Sequence, residues 1–255
     1  MWRVRGFSTV LLVTVAAACA GAPLGATPSQ GAEPSVVVAP TDPAPSPETA
    51  LPETERPSAS PSLCPPAPDA TSGSTQVVKG VTNIFGAGHD TPPQPGGGGA
   101  GQLPPVWQLP PGVDRVVMIS CAEGEVIPRR NDGITNGPGG DGYGPTDVQS
   151  FDGISGIVHA HNGMFLVGVF LTDSVPVDPA PARLDFTDGD EFADLAPEIG
   201  QVFLVGDGVG RRYAVPADAT RLYLGFADGA AYQGLPGYYD NNGGQLAVTV
   251  EVSSD

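Results

Sequence analysis

Asp228, Asp240, Asn241 and Asn242 share one stretch with five glycines, Gly229, Gly234, Gly237, Gly243 and Gly244. Carboxylate and amide oxygens are hard donors, and glycine lets a chain bend so that several of them, with main-chain carbonyls, face one point. That is the chemistry of a calcium site, which takes about six to eight oxygens. Adjacent Asn241 and Asn242 would point to opposite faces of a flat strand and converge only in a turn, a conformation that Asn tolerates and that Gly243 and Gly244 ease. The same residues also make an ordinary polar hairpin turn, so spacing alone leaves both readings open.

Two apolar segments must hold this loop. Leu222 to Phe226 leads into Asp228, and Gln245 to Val252 sets Leu246, Val248, Val250 and Val252 against Gln245, Ala247, Thr249 and Glu251, the alternation of a half-buried strand. The expectation is strand, loop, strand, with the two strands paired. Val113 to Ser120 and Met164 to Leu171 read as core strands covered on both faces. Val77, Val78, Val81, Ile84 and Phe85 predict a first strand or strand pair from Gln76, broken at Gly80, and shorter strands are expected at Arg183 to Phe186, Gln201 to Val205, Arg212 to Val215 and Arg221 to Phe226. Residues Gly86 to Gly112, rich in proline and glycine, leave room only for a short segment at Val106-Trp107, where Trp107 is favoured as a packing anchor over a sugar platform. The single helical candidate is Asp190 to Ile199. The fold class is all-β, an antiparallel jelly-roll-like β-sandwich over residues 75–255.

Ahead of it, residues 1–19 carry Arg3 and Arg5, an apolar run from Val10 to Ala18, then Cys19, the pattern of an export signal too short to anchor as a membrane span. Cys19 after Ala16-Ala17-Ala18 resembles a bacterial lipoprotein cleavage box with Ala16 where Leu is usual, so the chain is expected either lipidated at Cys19 or simply cleaved. Residues 20–74 are built from Pro, Ala, Ser, Thr, Glu and Asp without an aromatic, which predicts a disordered, semi-rigid stalk. A net charge of −17, from 28 acidic and 11 basic residues, argues against nucleic acid and anionic membrane surfaces as partners, leaving a membrane only through a lipid at Cys19. Three cysteines, Cys19, Cys64 and Cys121, are not a disulfide framework, and a Cys64–Cys121 bridge, tying stalk to strand, is the less favoured reading. His159 and His161 are expected to be packed or solvated rather than metal ligands, and Asp188, Asp190 and Asp194 to form a solvated acidic loop.

One further segment bears on the loop. Gly142-Tyr143-Gly144-Pro145-Thr146 is a tight aromatic turn, and with Asp228 and Tyr239-Asp240-Asn241-Asn242-Gly243-Gly244 it resembles the PA-I type of galactose-binding, calcium-dependent bacterial lectins. In that family a strand ends in Asp, an aromatic precedes an Asn pair, and a Tyr-Gly-Pro-Thr turn completes the site. The resemblance implies a galactose-binding-domain-like fold. It also implies calcium held by the side chains of Asp228, Asn241 and Asn242 and by the carbonyls of Tyr143 and Tyr238. Two sugar hydroxyls would complete the sphere and hydrogen-bond to the same Asp228, Asn241 and Asn242. Departures are that Asp147 to Ser155 carries neither the family's His nor its Gln at a matching place, which leaves the sugar open, and an insertion at Gln233 to Pro236. Asp240 stands where the family has Gly, either as an extra metal ligand or as a charge that keeps sugars away. The function expected is therefore a calcium-dependent carbohydrate-binding module displayed outside the cell, without catalysis. Its rivals are a structural module with a calcium-ordered loop and, less favoured, a glycosidase, which would need paired carboxylates.

Overall fold

Short β-branched and aromatic runs punctuated by glycine and proline fold into strands wherever an apolar face finds a partner. The computed structural model describes residues 74–254 apart from 113–114, 141–143 and 209. The export segment with Cys19, the stalk up to residue 73, Cys64 and Tyr143 lie outside the described residues. The strands are β1 (Ser74–Lys79), β2 (Val106–Gln108), β3 (Arg115–Ile127), β4 (Thr146–Val148), β5 (Ile157–His159), β6 (Leu166–Leu171), β7 (Leu184–Phe186), β8 (Asp194–Leu195), β9 (Val202–Leu204), β10 (Arg212–Ala214), β11 (Arg221–Phe226), β12 (Gly229–Ala230), β13 (Gln233–Pro236) and β14 (Gly243–Ser254). They form three sheets in the orders β1-β14-β3-β10-β8, β2-β11-β6-β9 and β12-β13-β4-β5-β7. Pairing is antiparallel except at β10/β8, β13/β4 and β5/β7. The fold is the all-β sandwich expected, with a third sheet added.

The middle sheet is covered on both sides, as the unbroken apolar run of β6 requires. On one face Leu166, Phe170, Leu222, Leu224 and Phe226 pack against Val117 and Ile119 of β3 and Leu246, Val248 and Val250 of β14. On the other, Val167, Val169, Leu171 and Tyr223 meet Val148, Ile157 and Phe186 of the third sheet with Ile84 and Phe85. Successive residues of β11 thus serve opposite cores, the two-residue period of a strand. Each buried large side chain contributes about 1.5–3 kcal/mol. Trp107 is 4% exposed, packs in the first core and donates its indole N–H to the Ser74 carbonyl at 3.2 Å, which makes it the packing anchor.

Several expectations are corrected. β11 and β14 are not paired: β11 lies between β2 and β6, β14 between β1 and β3. Facing each other across the core buries the apolar faces of both, so the loop between them crosses from one sheet to the other. Ile84 and Phe85 belong to a 3-10 turn (Ile84–Gly86) in which the Asn83 side chain accepts from the Phe85 N–H at 3.0 Å. Asp190 to Ile199 is not helical, and its Asp194–Leu195 pairs with β10. β3 continues past Ser120 to Ile127, against the whole length of β14. Cys121 is disulfide-bonded, against the reading that disfavoured a bridge there, and its partner lies outside the described residues. His159 is buried, with Nδ1 accepting the N–H groups of His161 and Asn162 and Nε2 3.7 Å from a carboxylate oxygen of Asp190, while His161 is exposed.

Candidate functional site

The crossover from β11 to β14 is built to hold Asp228 under cover. Directly after β11 the chain makes the small β12–β13 hairpin, which joins the third sheet beside β4. It then returns through Tyr238, in the left-handed region at φ 69°, into a 3-10 turn (Tyr239–Asn241) that opens into β14. Tyr239 is fully buried; its hydroxyl donates to the Phe226 carbonyl and accepts the Asp228 N–H, both at 3.0 Å, so the two ends of the loop are tied. Burial pushes the Tyr239 hydroxyl well above its ordinary pKa, which keeps it a donor.

Two further elements clamp the loop. Arg130, in the turn after β3, gives its backbone N–H to the Asn241 carbonyl at 2.8 Å and its Nε–H to the Asn242 carbonyl at 2.6 Å. The glycine run of the long proline-rich loop lies along the other side. A Cβ on Gly98 would sit 2.5 Å from the Tyr238 ring, and one on Gly99 2.2 Å from the Asp240 carboxyl carbon, with φ +69° and +100°. Only glycine permits both the approach and the backbone conformation.

Asp228 is 2% exposed. Burial pushes its carboxyl up to about 7, opposed by the hydrogen bonds it accepts from Asn242 and Gly229 and by the Arg129 charge. The Gly229 N–H reaches Oδ1 at 2.7 Å, and Asn242 Nδ2 donates to Oδ2 at 2.8 Å. That contact fixes the Asn242 amide: its nitrogen faces the carboxylate, so its oxygen faces away. The Oδ1 atoms of both Asn241 and Asn242 are buried without a hydrogen-bond partner. Orphaned acceptors of this kind cost about 1–3 kcal/mol each unless something electropositive meets them. Asn242 Nδ2 also lies 3.7 Å from the sulfur of Met164, itself left-handed at φ 55°.

Above these groups opens a cleft of about 550 Å³ whose walls include Arg129, Pro145, Asp228, Tyr232, Tyr238 and Asn241. Gly144 and Pro145 of the Tyr-Gly-Pro-Thr turn therefore share a cleft with Asp228 and Asn241, bringing together two motifs far apart in sequence. Ala231, Tyr232 and Tyr238, all left-handed without being glycine, line it as well. Asn242 sits beneath the cleft, wholly covered. Tyr143 lies outside the described residues. Asp240 is turned away: its Oδ1 accepts the Gly101 N–H at 2.9 Å, and it borders a separate groove with Arg130.

Among the described residues, groups of three or more His, Cys, Asp or Glu that could hold a metal are absent. A hard cation here would instead be met by one carboxylate with amide and main-chain oxygens; Asp228 and the orphaned Asn241 oxygen, on residues that both line the cleft, fit that donor set, whereas the Asn242 oxygen joins it only if its amide turns over from its bond to Asp228. Arg129, Arg130 and the glycine belt escaped the sequence reading. The arginines carry no local signal, whereas the Gly96 to Gly99 run, which read only as a break in regular structure, is a signal of close backbone approach that does not name its partner. Compared with known families and proteins, the chain matches no family model and no curated protein.

Proposed function

We propose that the folded part of this chain is a calcium-dependent carbohydrate-binding module, exported and displayed by its proline-rich stalk, of the PA-I lectin type that it resembles. The observation that carries the reading is the buried, unpartnered amide oxygen of Asn241 in one open cleft with the desolvated carboxyl of Asp228, with Asn242 bonded to that carboxyl from beneath. Asp228, Asn241 and, with its amide turned over, Asn242 would hold calcium, with the carbonyls of Tyr143 and Tyr238 added by the resemblance. Calcium there would supply a positive centre for vicinal sugar hydroxyls. The chain's own residues do the rest: Tyr239, Arg130 and the glycine belt hold the loop in place, and Asp228 and Asn241 offer acceptors to the sugar. Because protein contacts already order this loop, a metal whose only work is to order it has little left to do, which favours binding over the purely structural reading. Asp228 is the sole carboxylate among the described residues that line the cleft, whereas hydrolysis of a glycoside takes two.

The test is calorimetry against a panel of monosaccharides, with calcium and with chelator. The expected result is heat from a sugar only with calcium present. Sugar binding that survives the chelator, or no sugar bound at millimolar concentration by a calcium-loaded chain, defeats the reading, and the latter result favours the structural module.

A further inference from the structure

We propose that Arg129 makes this cleft select a carboxylate-bearing sugar, a uronic acid, over its neutral counterpart. The inference rests on the calcium and sugar reading above. Arg129 lines the cleft with Asp228 and Asn241, and its charge is felt at the Asp228 carboxyl. Its side chain is 63% exposed and its ion pair is with Asp132, three residues on, at 3.4 Å. An exposed pair of that kind is weak and gives way readily to a better partner.

Charge balance decides the ligand class. Among the described residues lining the cleft, Asp228 is the single negative charge and Arg129 the single positive one. A divalent cation then leaves the loaded cleft positive, by two charges among its lining residues and by one once Asp132 beside Arg129 is counted. A neutral sugar would leave that excess uncompensated in a partly desolvated site. A sugar carboxylate offsets it, and the planar guanidinium offers a carboxylate two parallel N–H donors that a hydroxyl cannot match. The opposing effect is the net charge of −17, which repels anions from the molecule as a whole. That field is screened over about 8 Å at physiological salt, whereas the cleft charges act at contact, so the local term wins.

The experiment titrates methyl galacturonoside and methyl galactoside separately into the full chain at physiological salt with saturating calcium, after a calcium titration without sugar. The acid sugar is expected to bind about tenfold tighter, the equivalent of one good charged contact. In Arg129→Gln that preference falls to about unity while calcium binds as well or better, because a like charge has gone; Arg129→Lys keeps part of the preference. Equal binding of the two sugars, a preference unaltered by Arg129→Gln, or calcium bound with neither sugar taken up overturns the inference. Failure of calcium itself to bind overturns the reading beneath it too, so the two failures are told apart. Since Arg129 is exposed and outside both cores, the variants fold, which urea denaturation checks.

Discussion

Replacing Asp228 by Asn removes a carboxylate that the fold retains at a cost, and the sign of the effect on stability should reverse with pH. The folded-state pKa of about 7 lies above the ordinary 3.8, so the native chain holds this proton more tightly than the unfolded chain does. Stability from this group is therefore fully present below about pH 4 and lost as pH rises through about 7. Between about pH 5 and pH 8 the loss comes to about 2.5 kcal/mol, at about 1.4 kcal/mol per unit of pKa difference. Asn keeps the shape and the contact with Asn242 but turns an amide N–H toward the Gly229 N–H, which costs about 1 kcal/mol at every pH. With chelator present, Asp228→Asn should be less stable than the parent by about 1 kcal/mol near pH 5 and more stable by about 1–2 kcal/mol near pH 8. Urea denaturation of both proteins at the two pH values reads this directly, and the difference between them cancels every other titrating group, buried His159 included. Saturating calcium near pH 8 should erase the advantage of the variant, since only the parent gains binding energy, about 1.4 kcal/mol at ten times the dissociation constant. A parent-to-variant difference that stays constant across this pH range refutes the account of Asp228 as a desolvated carboxylate.

Other expectations concern the loop that holds it. Tyr239→Phe strips the buried Asp228 N–H and Phe226 carbonyl of their shared partner and should cost about 1–3 kcal/mol in urea denaturation. Arg130→Ala removes the Nε–H bond to the Asn242 carbonyl, and a calcium titration should show the metal held several-fold more weakly with the core intact. Gly99→Ala drives a Cβ against Asp240 at a positive φ, whereas Gly97→Ala, with positive φ but open space, should cost only about 1 kcal/mol; thermal denaturation of the pair separates crowding from backbone strain.

The sequence carried the strands well because their signal is local. The alternation from Leu246 to Val252 and the apolar run of β6 named the faces they would bury. It also named Asp228, Asn241 and Asn242; Asn241 ends a 3-10 turn, Asn242 caps that turn in extended backbone, and the Asn242 amide reaches Asp228 after β11. Pairing was another matter. Nothing in Leu222 to Phe226 or Gln245 to Val252 says whether two apolar strands lie side by side or face to face, and the second arrangement was the one found. Arg129 and Arg130 were illegible for a similar reason, since their roles depend on the turn after β3 lying against a loop more than a hundred residues later. Asp240, beside the Asn pair in sequence, read either as an extra ligand or as a charge that keeps sugars away, but a 3-10 turn sends successive side chains in different directions, and this one went to Gly101.

The central claim is that Asp228, Asn241 and Asn242 together hold a calcium ion. Calcium titrated into the chelator-stripped chain near pH 8, followed by calorimetry, tests it most directly. The expected result is one site per chain with a dissociation constant of about 10⁻⁴ to 10⁻³ M, lost in Asp228→Ala and weakened in Asn242→Ala. A parent chain that takes up no calcium, or an Asp228→Ala variant that binds it as the parent does, would contradict it.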